Sequence, residues 1–181
     1  MNILKKAISA IRGEQFLDKL IKRGLKVGDN FKRMGEVIID PSHCWHISIG
    51  NNVTLAPRVH ILAHDTSTKL FLGYTKVANV SIGNRVFIGA GSIVLPGVTI
   101  GDDVVIGSGS VVTKAIPSNS VAVGNPAKVI CSLDDYISKE KLKMQDENVF
   151  NASYTVRNNI NEDQKQVMIN ACEKYGKLYV E

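Results

Sequence analysis

Between Ile82 and Thr113 an aliphatic residue recurs at every sixth position: Ile82, Ile88, Val94, Ile100, Ile106 and Val112. The position after it is glycine at 83, 89, 101 and 107, with Leu95 as the exception. The fifth position holds Val86, Ser92, Val98, Val104 and Ser110. A period of six matches neither a helix nor a simple amphipathic strand, so the chain must turn every six residues. The pattern predicts an all-β solenoid, a parallel β-helix in which three sixes close one triangular coil of about eighteen residues. Each first-position residue points into a thin core, and coils stack at about 4.8 Å. Glycine is expected at the bends because it adopts backbone angles that a Cβ disfavours.

The same phase can be followed backwards. Ile49-Gly50-Asn51-Asn52-Val53-Thr54, then Leu55 to His60, then Ile61 to His64 form one coil. From Ile61 to the restart at Ile82 there are 21 residues where six suffice, so about 15 are inserted, roughly over 65–80, with Phe71 and Tyr74 in the middle. Insertions thrown out of a solenoid often mark its binding face. A first, irregular coil begins near Val27. We therefore expect an N-terminal helical cap over 1–26, a coil domain over 27–131 and a helical tail over 132–181. Apolar residues at helical spacing, Ile3 to Ile11 and Phe16 to Ile21, predict the N-terminal helices. In the tail, Ser132 with Asp135 three residues on reads as a capping box, and a second helix is expected from Glu162 to Tyr175, stopped by Gly176. The Asn-rich stretch 146–160 reads as a linker.

Composition sharpens this picture only in places. Scarce aromatics among plentiful Val, Ile and Gly suit a thin coil core. Of the net charge of +5, residues 1–33 carry nine Lys/Arg against three Asp/Glu, net +6, which leaves −1 for the remainder. That distribution argues against nucleic-acid binding by the whole chain. It leaves two uses for the basic helix: a cap over the open end of the coil, which we expect, or contact with an anionic membrane surface. Cys44, Cys131 and Cys172 are odd in number and widely spaced, as expected for reduced thiols in a cytoplasmic protein.

The candidate chemistry lies among four histidines, His43, His46, His60 and His64, all within little more than one coil. His64 stands where the regular coil gives way to the insertion, an edge position with room for a substrate. An imidazole, with an ordinary pKa of about 6.5, can take up a proton at physiological pH, and Asp65 or a backbone carbonyl is available to orient it. His43, His46 and His60 read as polar side chains on the outer face. A zinc site built from several of these histidines is the alternative, and it would make the chain a metal hydratase.

The run VTLAPRVHILAHD, an insertion, and then IGNRVFIGAGSIVLPGVTIGDDVVIGSGSVVTKAIPSNSVAVGNPAKVI resembles the hexapeptide-repeat acyltransferases, and among them the sugar and capsular polysaccharide O-acetyltransferases. The resemblance spans about residues 47–131. It implies a left-handed parallel β-helix, here flanked by the N- and C-terminal α-helices read from the spacing above, a homotrimer with active sites between subunits, acetyl-CoA as donor, a sugar or glycan hydroxyl as acceptor, and no metal. It places His64 on the family's catalytic histidine, and Ala90, Ser108, Thr113 and Lys114 on positions that contact CoA. Lys128, in the GNPAK turn, is a further candidate for the phosphates of CoA. The chain departs from the maltose and galactoside enzymes at Leu62-Ala63-His64-Asp65, where they read Thr-x-x-His-Pro. Trp45, Asp65 and Tyr74 are the candidates for holding the acceptor. The expectation is O-acetyl transfer to a sugar or surface-polysaccharide precursor. The alternatives are amino-sugar N-acetylation on the same scaffold, a zinc hydratase, and a non-catalytic β-helix subunit.

Overall fold

The computed structural model describes residues 14–181, so the expected helix over 3–11 lies outside the described residues. Of these, residues 14–133 and residues from Asp134 onward form two compact units.

The first unit winds along three faces built from strands two to four residues long. The first face stacks Lys26–Val27, Ile47–Ile49, Val80–Ile82 and Thr99–Ile100. The second stacks Lys32–Arg33, Thr54–Leu55, Phe87–Ile88, Val104–Ile106 and Ser120–Val123. The third stacks Ile38–Ile39, His60–Ile61, Ile93–Val94 and Val111–Val112. Pairing within each face is parallel and follows the six-residue phase: Ile82 lies opposite Ile100, Ile88 opposite Ile106 and Val94 opposite Val112, each eighteen residues on. The final strand, Lys128–Ser132, runs antiparallel to Ser120–Val123 and ends the second sheet. First and fifth positions both face inward. Val53, Val59, Val86, Val98 and Val104 are as buried as the aliphatics of the first position. Ser92 and Ser110 are buried as well, and each hydroxyl donates to the carbonyl of Gly107, at 3.0 and 2.6 Å, which satisfies a polar group that would otherwise be costly to bury.

The glycines do not act where the sequence pattern suggests. Those in the second position lack positive φ; they are sites of close approach between coils. A Cβ on Gly89 would lie 2.5 Å from the backbone nitrogen of Ser108. The left-handed bend falls two residues later, at Asn52, Arg58, Arg85, Gly91, Gly97, Asp103 and Gly109, all with φ between +54° and +85°. Strands this short leave corner N–H groups without ladder partners, and side chains supply acceptors. Asn51 Oδ1 accepts from Asp29 N–H (2.7 Å), Asn84 Oδ1 from Asn51 N–H (2.9 Å) and Asp102 Oδ1 from Asn84 N–H (2.7 Å).

Register also measures the interruptions. Ile61 lies opposite Val94, 33 residues on, which is eighteen plus an insertion of fifteen. Ile39 lies opposite Ile61, 22 residues on, so the first coil carries four extra residues. Both interruptions fall at one corner, where the third face passes into the first. The larger is a hairpin, His64–Asp65 antiparallel to Lys76–Val77, with helix α1 (Lys69–Leu72) at its tip. The smaller is a single 3-10 turn at Cys44–His46. Before the coil, a helix over Glu14–Lys22 places Leu20, fully buried, and Leu17 against the end of the core.

The second unit contains helices over Leu133–Lys141 and Glu162–Tyr175, the latter capped by Asn161 and Gln164 and ended by Gly176 at φ 73°. The stretch 146–160 is not a linker. Asn148 and Phe150 are buried, and Asn148 donates to the carbonyl of Lys143 (2.9 Å). The half-buried side of Glu162–Tyr175 is Gln164, Met168, Ala171 and Tyr175; Val167 and Cys172 lie outside it.

Candidate active site

The doubly interrupted corner gathers the chemistry. Asp40 directly follows the strand Ile38–Ile39, and its side chain is fully buried. Its Oδ1 accepts from the N–H groups of Ser42 (2.9 Å) and His43 (3.1 Å), within the four-residue interruption. Its Oδ2 accepts from Ala63 N–H (3.0 Å) and from Nδ1 of His64, one coil along. Burial pushes the Asp40 carboxyl upward. Hydrogen bonds from His64 and from the backbone of Ala63, Ser42 and His43 outweigh it and hold the group below its ordinary value. A carboxylate only accepts, so the proton between the pair sits on Nδ1, and in a neutral imidazole this leaves Nε2 as the acceptor. The His64 side chain is 28% exposed. It borders an open cleft of about 450 Å³ lined by Leu62, His64, Asp65, Thr66, Leu95 and Pro96. A buried anion behind an accessible imidazole is the arrangement of an oriented general base.

Asp65 does not orient His64. Its carboxylate pairs with Lys76 Nζ (2.6 Å) across the hairpin and accepts from Ser67 N–H (2.8 Å), and these bonds hold it well below its ordinary pKa. Neighbouring strand residues point to opposite sides, so Asp65 turns away as His64 turns in. Asp40 escaped the sequence reading, although its signal was present: ten residues separate Ile39 from Ile49 where six suffice.

The remaining histidines are not uniformly outer-face residues. The His43 ring lies 4.8 Å from the His64 ring and 5.4 Å from the indole of Trp45, centroid to centroid. Its Nδ1 is buried without a hydrogen-bond partner. His46, eighteen residues before His64, meets Asn79 instead (Nδ1 to Oδ1, 2.7 Å), because the insertion displaces the register. His60 stays on the outer row of the third face, beside Ile38 and Ile93. Asp40, His43 and His64 bring potential metal-ligating atoms within 4.8 Å of one another.

Thr113 and Lys114 follow Val111–Val112 and lie exposed on the same corner as His64, farther along the stack. Ala90 and Ser108 occupy the neighbouring corner, between the second and third faces. There they stack directly, with Gly109 N–H donating to the carbonyl of Ala90 (2.8 Å). Lys128, exposed at the start of the last strand, belongs to that second corner. Tyr74 sits near the hairpin tip, 79% exposed, beside Leu70, Phe71 and Leu72, which are also largely exposed. Trp45 is half exposed.

The pattern of the bacterial transferase hexapeptide family (six repeats) matches residues 79–114. Protein CapG of Staphylococcus aureus is 42% identical over 150 residues, which is 80% of this chain and 83% of that protein. Among solved structures, a maltose O-acetyltransferase from Clostridium difficile 630 superposes with a TM-score of 0.53 at 36% identity, over 66% of this chain and 75% of that one. A galactoside acetyltransferase in complex with coenzyme A gives a TM-score of 0.50 at 31% identity, over 66% and 70%.

Proposed function

Because this chain belongs to the bacterial hexapeptide transferases, we propose that it carries an acetyl group from acetyl-CoA to a hydroxyl of a sugar or surface-polysaccharide precursor, with His64 as the general base. The observation that carries this reading is the buried Asp40 carboxylate bonded to Nδ1 of an accessible His64. Nε2 takes the proton of the acceptor hydroxyl as its oxygen attacks the thioester carbonyl. The tetrahedral intermediate collapses, the C–S bond breaks, and the departing CoA thiolate recovers the proton from His64. Asp40 stabilises the imidazolium in between. No acyl-enzyme forms, so none of the three cysteines has a catalytic part.

We further propose that the coil is left-handed and that three copies assemble with sites between them. Support for shared sites comes from the two corners. His64, Thr113 and Lys114 line one, whereas Ala90, Ser108 and Lys128 line the other, a whole face away. An elongated CoA can touch both sets if the second corner of one copy faces the first corner of its neighbour. Acetyl-CoA as donor argues for a cytoplasmic enzyme.

The test is CoA release from acetyl-CoA, followed with a thiol reagent in the presence of candidate sugars. Release that depends on the sugar and is lost in His64→Ala, with the circular dichroism spectrum unchanged, is the expected result. Acceptor-dependent release that survives His64→Ala sinks the assignment of the base. One observation favours a second reading, a metal centre: the Asp40, His43 and His64 cluster. Stoichiometric zinc in the purified protein, with activity lost on chelation, would favour it over acid–base catalysis by His64.

A further inference from the structure

A groove of about 300 Å³ runs along the outer surface of the first face, beside the catalytic corner. Its floor is the outward row of that face. Lys26 lies opposite Ser48 and Ser48 opposite Ser81, and the two serine hydroxyls bond to one another at 3.3 Å. One wall is the hydrogen-bonded pair His46 and Asn79 (2.7 Å). On the same side stands the indole of Trp45, 5.9 Å from the His46 ring, centroid to centroid, with its residue 51% exposed. From Trp45 a row of rings leads through His43 to His64, at successive centroid distances of 5.4 and 4.8 Å. The groove and the cleft at His64 are thus neighbours, with the His43 ring between them.

Each part suits one kind of ligand. An exposed indole offers a flat apolar surface to the C–H face of a sugar ring. Hydroxyl, amide and imidazole groups beside it can both donate and accept, as sugar hydroxyls require. Small serines keep the floor low where a bulky residue would fill it. A large aromatic with several convergent polar groups is the composition of a specific pocket. The outer row of the third face lacks it: Ile38, His60, Ile93 and Val111 are largely apolar.

We propose that this groove is an acceptor subsite for a second sugar, so that the acceptor is a glycan of two or more linked residues and not a free monosaccharide. The sugar whose hydroxyl is acetylated lies at His64, and the next residue of the chain stacks on Trp45 and hydrogen-bonds along Ser48, Asn79 and Ser81. This inference rests on the acetyl-transfer reading of His64 given above.

Trp45 is the single tryptophan of the chain, so its fluorescence reports the groove without any turnover. His64→Ala protein is titrated with three pairs of sugars: glucose and maltotetraose, N-acetylglucosamine and chitotetraose, galacturonic acid and its tetramer. The expected result is a saturable change with at least one tetramer, at a Kd at least tenfold below that of its monomer, and loss of that change when Ser81→Phe is added to fill the floor. Equal responses to monomer and tetramer in all three pairs, or none, overturn the subsite, as does a tetramer response indifferent to Ser81→Phe. In parallel, CoA release by the unmodified protein is measured with the same six sugars. Release with monomer and tetramer at equal kcat/KM sinks the subsite and leaves acetyl transfer standing. Absence of release with every sugar, while the tetramer still binds the groove, counts against acetyl transfer to these glycans and not against the groove.

Discussion

Asp40 and His64 work as a pair because each satisfies what the other lacks. The buried carboxylate needs donors, and the imidazole needs an orienting acceptor that leaves Nε2 free. Asp40→Asn replaces the anion with a neutral amide and, in the proposed mechanism, takes away the charge that stabilises the imidazolium. We expect kcat to fall by about 10² to 10⁴ with KM for acetyl-CoA little changed, read from steady-state CoA release. A fall of less than about threefold would mean that His64 does not depend on Asp40. The same pair predicts a pH effect on stability. The folded carboxyl titrates below its ordinary value of 3.8, so its contribution is complete above that value and is lost as pH falls through the lower folded pKa. Thermal melts should show the gap in stability between wild type and Asp40→Asn at neutral pH narrowing as the solution is acidified below about pH 4. The reverse trend would contradict the bonding described for Asp40.

The element that repeats is a six-residue strand and corner, and its two glycine classes differ in kind. Gly89→Ala would bring a Cβ against the Ser108 backbone, which cannot swing aside as a side chain can. A cost of about 3 kcal/mol is expected. Gly91, at φ 70°, has open space around it, so Gly91→Ala pays only for the left-handed angle, about 1 to 2 kcal/mol, and Gly91→Asn should cost less still. Chemical denaturation of the three variants tests this order. If Gly91→Ala were the most damaging, close coil approach would not be what the second-position glycines serve. The hairpin inserted at His64 is the other element of consequence. Its base is fixed by Lys76 and Asp65, and its tip carries Leu70, Phe71 and Leu72 exposed, a cluster in keeping with contact to another copy.

For the whole molecule, the division of the CoA candidates between two corners predicts an assembly. Sedimentation or light scattering should give three times the 19.7 kDa of one chain, and a monomer with full activity would exclude shared sites. The unit from Asp134 onward predicts a separate acid response. Glu140 is tied to Lys143, Lys177 and the Tyr179 hydroxyl, which bring its pKa down to about 2 from an ordinary 4.5. Its contribution is complete above 4.5 and lost as pH falls from there toward 2, and Glu140→Gln should remove that part of the acid sensitivity in hydrogen-exchange measurements on this unit.

By itself the sequence determined the stacked coil, because an inward residue every six positions leaves no other period for the chain to follow. It also determined the length of the insertion and the edge position of His64, since both can be counted from the phase. Only the tertiary structure decided which acid serves His64. Asp40 and Asp65 are both near in the count, but strand alternation turns Asp65 away, and the four extra residues of the first coil wrap their backbone N–H groups around Asp40. It also decided what the glycines are for, because close contact between coils is a property of the stack and leaves no mark on the local backbone angle. The row of rings from Trp45 through His43 to His64 arises in the same way: two interruptions of unequal length, in successive coils, fall on one corner.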